Sequence, residues 1–276
     1  MKQSIVPSLS TLAGSCLTGL NWQEVGVEVV AYSLSALLMK PGIDLLNNIP
    51  NLASYVGWQK TLVLNATAFT LNAQGLYCLR SIYDGSRYQY SAHELLTLIV
   101  KLSPQYVILP KGMGQHSTFI STLFPETITP FFPIEEYPSI QAQSSYGLYF
   151  NYSNETAETF LECISEHQDR LRYVVGYVPL ETLQHLSTSG VDLIESNRPA
   201  QDALDGFIYH PEQSFFIMDE AQRMTFDVID VGCACPVCNQ KLTRAYLHHL
   251  YQQTPLLCQR LLIQHNVFYT CHLPQA

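Results

Sequence analysis

The sequence predicts an α/β fold in which short parallel strands alternate with helices, followed by a cysteine-bearing helical segment. Three observations predict it. Several β-rich runs are separated by stretches of helical periodicity, the pattern of βα units around a parallel sheet. The chain has 276 residues, and a single α/β barrel of roughly 250 residues fits that length with no need for a second domain. Hydrophobic residues make up 47% of it and charged residues 13%, about half the ~25% usual in soluble domains, which excludes a disordered chain.

Taken in order, residues 1–7 hold one basic side chain and no sustained apolar run, a poor secretory signal. Residues 27–32 form the first strand candidate. The most apolar stretch, 25–39, is interrupted by Glu28, Ser33 and Ser35 and falls short of the ~20 apolar residues of a membrane span. A cytoplasmic protein without membrane contact is expected. Residues 61–64 and 106–109 are strand candidates on either side of a helix over 91–102, whose apolar positions are Leu95, Leu96, Leu98, Ile99 and Leu102. The stretch 112–143 is rich in Pro, Thr and Ser without a clear period and predicts a long βα connection with one short helix. Strands at 147–152, 173–175 and 191–194 follow, with a helix over 155–167 carried by Ala157, Phe160, Leu161 and Ile164. A helix over 241–251 and a second one, N-capped by Thr254 with Pro255 at its first position, close the sequence. No internal repeat is visible.

Fourteen Lys and Arg against 23 Asp and Glu give a net charge of −9, which argues against a protein held to phosphate backbones by bulk positive charge. No DNA partner is expected, and any RNA contact has to be local. Eight cysteines are too sparse for a disulfide scaffold. Three of them stand in the run Cys233-Ala234-Cys235-Pro236-Val237-Cys238. Three thiolates on a tight loop suit tetrahedral Zn²⁺ and leave one corner open. Three merely buried cysteines or a redox site are the competing readings. For the fourth ligand, His248, His249, His265, Cys258, Cys271 and His272 are all near enough in sequence. His265 is attractive because its helix must fold back over the preceding one, but composition does not choose.

The run Thr243-Arg244-Ala245-Tyr246-Leu247-His248-His249-Leu250 after this loop, with Gln264-His265-Asn266 in the next helix, resembles the zinc subdomain of the tRNA-guanine transglycosylase (queuine tRNA-ribosyltransferase) family. Weaker collinear echoes run through Leu38-Met39-Lys40-Pro41-Gly42, Val56-Gly57-Trp58-Gln59-Lys60, Tyr83-Asp84-Gly85-Ser86 and Arg172-Tyr173-Val174-Val175-Gly176. The resemblance implies a TIM-type (β/α)8 barrel over 1–228 and a zinc-binding helical subdomain over 229–276. It also implies that Cys233, Cys235, Cys238 and His265 hold the zinc. One residue is inserted between Cys238 and Arg244 relative to the family spacing.

The family's chemistry is carried less well. There a carboxylate attacks the ribose C1′ of the target guanosine while a second aspartate handles protons. The nucleophile's run is matched by Gly190-Val191-Asp192-Leu193-Ile194-Glu195, placing Glu195 at the reactive position. Its extra methylene moves the carboxylate by about 1.5 Å, and misplacement by ~1 Å can cost ~100-fold in rate. The proton-handling aspartate is matched by Asn65, which does not titrate, and the base-binding turn by Pro110-Lys111-Gly112, a cation where the family has an acceptor. Large side chains fill 150–154, where the family has a strand of small residues. Gln201 and Leu204 stand where the family has arginines that grip tRNA, with Arg198 nearby but out of register.

The reading is a transglycosylase-like protein of the queuosine tRNA-modification family, non-catalytic and acting as a structural or partner subunit, like the accessory subunit of the eukaryotic queuine enzyme. It is expected to form a homo- or heterodimer with a transglycosylase-family barrel and to touch tRNA weakly at most. Glu195 then reads as a polar residue retained at a strand's C-terminal mouth. The alternative is an active, divergent tRNA-ribosyltransferase with Glu195 as nucleophile. A third reading is a zinc-stapled binding module with no nucleic-acid function. Tyr149, Phe150 or Tyr152 plugging the mouth is the expectation that separates the first two.

Overall fold

The computed structural model describes residues 4–140, 145–153 and 157–273. Gln143, Asn154 and the predicted helix start at Glu155 lie outside these. Eight parallel strands form one sheet: β1 Ser4–Val6, β2 Val29–Ser33, β3 Thr61–Asn65, β4 Tyr106–Ile108, β5 Thr129–Pro133, β6 Gly147–Asn151, β7 Leu171–Val175 and β8 Leu193–Glu195. From β2 to β8 each pairs with the next, and β1 pairs with β8 through Ser4↔Leu193, Ile5↔Ile194 and Val6↔Glu195. Between β1 and β2 the ring is joined just past the strand end. Ser8 bridges Ala31, with Ala31 N donating to Pro7 O at 2.9 Å and Leu9 N to Ala31 O at 2.8 Å. The result is a nearly closed (β/α)8 barrel.

Alternate residues point inward because the side-chain period of a strand is two. They are Val6, Val29, Ala31, Val63, Ile108, Phe131, Tyr149, Tyr173 and Leu193, all buried. Aromatic rings fill one side of the interior edge to face, with centroids 5.5 Å apart for Tyr106 and Phe131 and 5.4 Å for Phe131 and Tyr173. Gly147 is what admits the Phe131 ring, since a Cβ there would lie 2.3 Å from Phe131 Cε1. The other faces of the strands (Val30, Leu62, Leu64, Val107, Phe132, Leu148, Phe150, Val174, Ile194) pack against the outer helices.

The helix over Ala92–Leu102 opens with a capping box in which Ser91 accepts from Glu94 N and Glu94 accepts from Ser91 N. Two strands differ from the sequence reading. Ser4–Val6 is a full barrel strand, and the stretch read as a connection with one short helix contains β5, Thr129–Pro133, between the short helices Ser117–Leu123 and Tyr137–Ile140. After β3 the chain also makes a small antiparallel sheet of Thr70–Leu71, Tyr77–Arg80 and Arg87–Tyr90. Its Tyr83-Asp84-Gly85-Ser86 turn is tied by Ser86 N and Oγ donating to Asp84 Oδ1 at 3.1 and 2.8 Å.

Two helices close the chain, Arg244–Gln253 and Pro255–Cys271. Thr243 caps the first by accepting from Tyr246 N. Thr254 does not cap the second: its hydroxyl turns back to Leu250 O at 3.4 Å and its N donates to the same carbonyl at 2.7 Å. One residue thus ends one helix and starts the next, folding the pair back on itself. Pro255–Cys271 packs on Arg198–Leu204, the helix after β8. Among the described residues no helix is long and apolar enough to cross a membrane.

Candidate functional site

The cysteine loop is shaped by its own backbone. Asp230 Oδ1 accepts from Gly232 N at 2.7 Å, turning the chain into Cys233, and Cys235 caps the short helix Pro236–Asn239 with its Sγ accepting from Cys238 N at 3.3 Å. Cys235 N in turn points at Cys233 Sγ at 3.5 Å. Three sulfurs therefore converge on one point, and the long C-terminal helix lays fully buried His265 across it. The ligand atoms of Cys233, Cys235, Cys238 and His265 all lie within 4.8 Å of one another. His265 Nδ1 is 3.8, 3.4 and 3.5 Å from the sulfurs of Cys233, Cys235 and Cys238. Zinc–sulfur and zinc–nitrogen bonds of about 2.3 and 2.0–2.1 Å set at a tetrahedral angle give an S···N edge of about 3.6 Å, so these residues fit a metal of tetrahedral preference.

The surroundings orient the set. His265 Nε2 donates to Tyr209 O at 2.8 Å, which leaves the Nδ1 lone pair facing the sulfurs. The four groups lie close enough to set one another's protonation. Hydrogen bonds from Cys235 and Cys238 hold the Cys233 thiol far below its usual range, while Cys233 and Cys235 drive Cys238 far above it. Burial pulls His265 down, but the neighbouring sulfurs of Cys233 and Cys235 outweigh it and lift the ring to about 9. A divalent cation at the centre favours thiolates and a neutral ring, and takes the place of protons these groups otherwise share.

Of the six ligand candidates, only His265 reaches the three cysteines. His248 is buried and used up, with Nδ1 bonded to Ile217 O at 2.8 Å and Nε2 to Gln252 at 3.0 Å. His249 is exposed. His272 stacks on Phe268 at 3.9 Å. Cys258 donates to Leu247 O at 3.3 Å, and burial pushes its thiol up to about 12. Asn266, beside the histidine, has a role the sequence reading did not assign. Its Oδ1 accepts from Tyr209 N at 2.9 Å, and its Nδ2 donates to Phe207 O at 2.9 Å and Pro199 O at 3.2 Å, pinning the metal helix to the segment after β8.

At the C-terminal mouth of the barrel, Glu195 ends β8 and is 8% exposed. Its Oε2 accepts from Asn65 Nδ2 and from Tyr173 OH, both at 2.9 Å, across the barrel interior. Asn65 is itself held by Thr67, whose N and Oγ1 donate to Asn65 Oδ1 at 3.0 and 2.7 Å. Burial pushes the Glu195 carboxyl up, against the hydrogen bonds from Asn65 and Tyr173 that hold it down. Tyr173 was visible in the sequence only as part of a strand. Its inward register, two residues before the partner of Glu195, is the signal that could have singled it out.

A cleft of about 520 Å³ opens at the same end, lined by Thr67, Phe69, Thr70, Leu71, Lys111, Gly112, Tyr149 and Asn151. Glu195 is not among its walls. Tyr149 forms part of the cleft, but Phe150 and Tyr152 do not plug it, because they face the outer helices. Lys111 projects to an exposed ion pair with Glu135 at 2.6 Å, and Glu136 holds the loop through Gly112 N and Gly114 N. Arg198 is engaged rather than free. Its Nε bonds both oxygens of Asp202 at 2.7 and 2.8 Å, and its guanidinium lies 4.5 Å from the Tyr177 ring centroid. Gln201 bonds Asp205.

Comparison with known proteins places residues 147–276 in a family model described as queuine tRNA-ribosyltransferase. Among curated relatives, the queuine tRNA-ribosyltransferase of Desulforapulum autotrophicum is 34% identical over 101 residues, 37% of this chain and 27% of that protein. Those of Desulfosudis oleivorans and Treponema denticola are each 23% identical but match far more of the sequence. The first covers 90% of this chain and 77% of the relative, the second 91% and 79%.

Proposed function

Because the chain belongs to the queuine tRNA-ribosyltransferase family, we propose that it serves queuosine tRNA modification as a non-catalytic partner subunit that keeps the barrel and metal staple but not the base exchange. The observation that carries this is the use made of Glu195. It is buried, its Oε2 is tied by Asn65 and Tyr173, and it does not line the open cleft. A nucleophile has to face the space in which the sugar sits, with a titrating neighbour to move protons. Here the neighbour is an amide, and the three groups together brace β3, β7 and β8.

The losses are concerted. Lys111 is neutralised by Glu135 where the family has an acceptor for the base, and Gln201 and Leu204 replace the arginines. Residues 229–276 act as a subdomain riding on the 1–228 barrel, stapled by zinc. Cys233, Cys235, Cys238 and His265 hold that zinc; with all four corners taken by protein, it supplies folding energy rather than Lewis acidity. The expected assembly is a cytosolic homo- or heterodimer with a transglycosylase-family barrel, with only weak contact to tRNA. The deciding experiment measures guanine exchange into tRNA by the purified zinc-loaded protein. No turnover is expected; turnover comparable with an ordinary family member ends this reading.

One observation favours a second reading, an active and divergent ribosyltransferase with Glu195 as nucleophile: both of its hydrogen bonds fall on Oε2 and leave Oε1 for a substrate, at the barrel end where the cleft of about 520 Å³ opens. A covalent tRNA adduct that disappears in Glu195→Ala would establish it, and the absence of any adduct would exclude it.

A further inference from the structure

The small antiparallel sheet after β3 forms one bank of the barrel mouth, since its Thr70 and Leu71 line the cleft there. Its two faces differ because the side-chain period of a strand is two. Tyr77 and Leu79 are buried, and the alternate residues, Cys78 and Arg80, belong to the outer face. Register places Arg87 directly opposite Arg80, and Gln89 opposite Cys78. Two exposed arginines therefore stand against one another on a face whose other residues, Thr70, Cys78 and Gln89, are neutral.

Like charges directly opposed across a strand pair cost stability, and no ion pair offsets that cost here. Among the described residues, Lys60, Lys111, Arg170, Arg172, Arg198 and Arg223 are all in ion pairs, whereas Arg80 and Arg87 are in none. The carboxylate of the hairpin, Asp84, is occupied by its own turn, with Oδ1 accepting from Ser86 N and Oγ. A third cation arrives from the segment after β2: exposed Lys40 places its Nζ 4.0 Å from the centroid of the Tyr83 ring, and that ring is 61% exposed at the turn. In a chain of net charge −9, three cations without acidic partners on one hairpin are a local exception.

An arginine pair offers two planar forks of donors to phosphate oxygens, and an exposed aromatic ring beside them offers a surface on which a base stacks. A run of phosphates carrying bases engages both; a lone small anion engages only the first. We propose that the outer face of this sheet grips the phosphate backbone of RNA, with Arg80 and Arg87 on phosphates and Lys40 and Tyr83 at the turn. Phosphate-holding charge that is missing at Gln201 and Leu204 is then supplied from the other bank of the mouth. The inference rests on the proposed role for the identity of that RNA, a tRNA.

Fluorescence anisotropy with a labelled, unmodified tRNA transcript tests it on the full, zinc-loaded chain across a salt series. Saturable binding is expected, weakening as salt rises. Arg80→Gln and Arg87→Gln should each weaken it about threefold or more and lower the slope of log K against log salt by about 0.7–0.9. Lys60→Gln, at the opposite end of β3, should change neither. Arg87→Glu separates binding from folding, because it sets an opposite charge against Arg80: RNA binding should be lost while Tm holds or rises. Parent-like affinity and slope in the arginine variants, no saturable binding of tRNA by the parent, or a fall in Tm with Arg87→Glu that shows the pair to be structural, overturns the proposal. Binding to phosphatidylserine vesicles that needs the same arginines, with no binding of RNA, overturns it too and assigns the face to a membrane surface. None of these results bears on guanine exchange, the measurement that decides the proposed role; turnover there would end that role and leave the RNA grip standing.

Discussion

Replacing Asn266 by Ala should be among the most damaging single changes in the molecule. The side chain is fully buried and makes three hydrogen bonds to backbone groups, accepting from Tyr209 N and donating to Phe207 O and Pro199 O. Alanine leaves all three groups without their partner in a place where its methyl cannot substitute. Each orphaned buried group costs about 1–3 kcal/mol; water entering beside partly exposed Phe207 relieves part of this, which puts the loss at about 3–5 kcal/mol. At about 2–4 °C of melting temperature per kcal/mol for a chain of this size, Tm should fall by roughly 6–20 °C. The loss should also reach the metal, because Tyr209 bonds both Asn266 and His265 Nε2. Thermal unfolding followed by circular dichroism, with metal release to a chromophoric chelator followed alongside, reads both effects. A Tm within about 2 °C of the parent, at unchanged metal release, would refute the claim that this amide joins the two parts of the fold.

Purified under reducing conditions, the protein should carry one zinc per chain by elemental analysis, and Cys235→Ser should abolish it; metal-free parent protein of unchanged Tm would count against the staple. For Glu195, burial sets the folded carboxyl above its ordinary value of 4.5. Its contribution to stability is therefore complete below that value and is lost as pH rises through the folded pKa. Glu195→Gln removes this dependence, so the Tm of the variant minus that of the parent should climb as pH rises above 4.5; a flat or falling difference would contradict it. Thr254→Pro should disrupt the reversal between the last two helices, since it deletes the N–H bonded to Leu250 O at 2.7 Å; a cost under about 1 kcal/mol in urea unfolding would show that the bond matters little.

What the sequence made legible was whatever depends on local pattern. The apolar runs of β2, β3, β4, β6, β7 and β8 lie buried on both faces, as parallel strands must, and were placed within two residues at each end. Ser91 and Glu94 announce their helix by spacing alone. Ser4–Val6 was missed because three residues carry no period, and only pairing with Leu193–Glu195 makes them a strand. Thr129–Pro133 was disguised by two prolines, which normally mark loops, yet here Pro130 and Pro133 are buried within the strand. At the site, the cysteine spacing spoke for itself, whereas the choice of His265 needed either the resemblance or the fold. The brace between Asn65 and Glu195 joins residues 130 positions apart, and no reading of neighbours reveals it.

The join between Ser8 and Ala31 and the pairing of Ser4–Val6 with Leu193–Glu195 set a timetable for biosynthesis. The segment made early by the ribosome has its second flank supplied only after the eighth strand has emerged, so the ring stays ajar through most of translation. Until then the two strands destined to meet are open edges, competent to recruit another chain. Shortening the leading segment past Val6 would leave Leu193–Glu195 permanently in that condition, and aggregation during expression, rather than a mild loss of melting temperature, is the phenotype to anticipate.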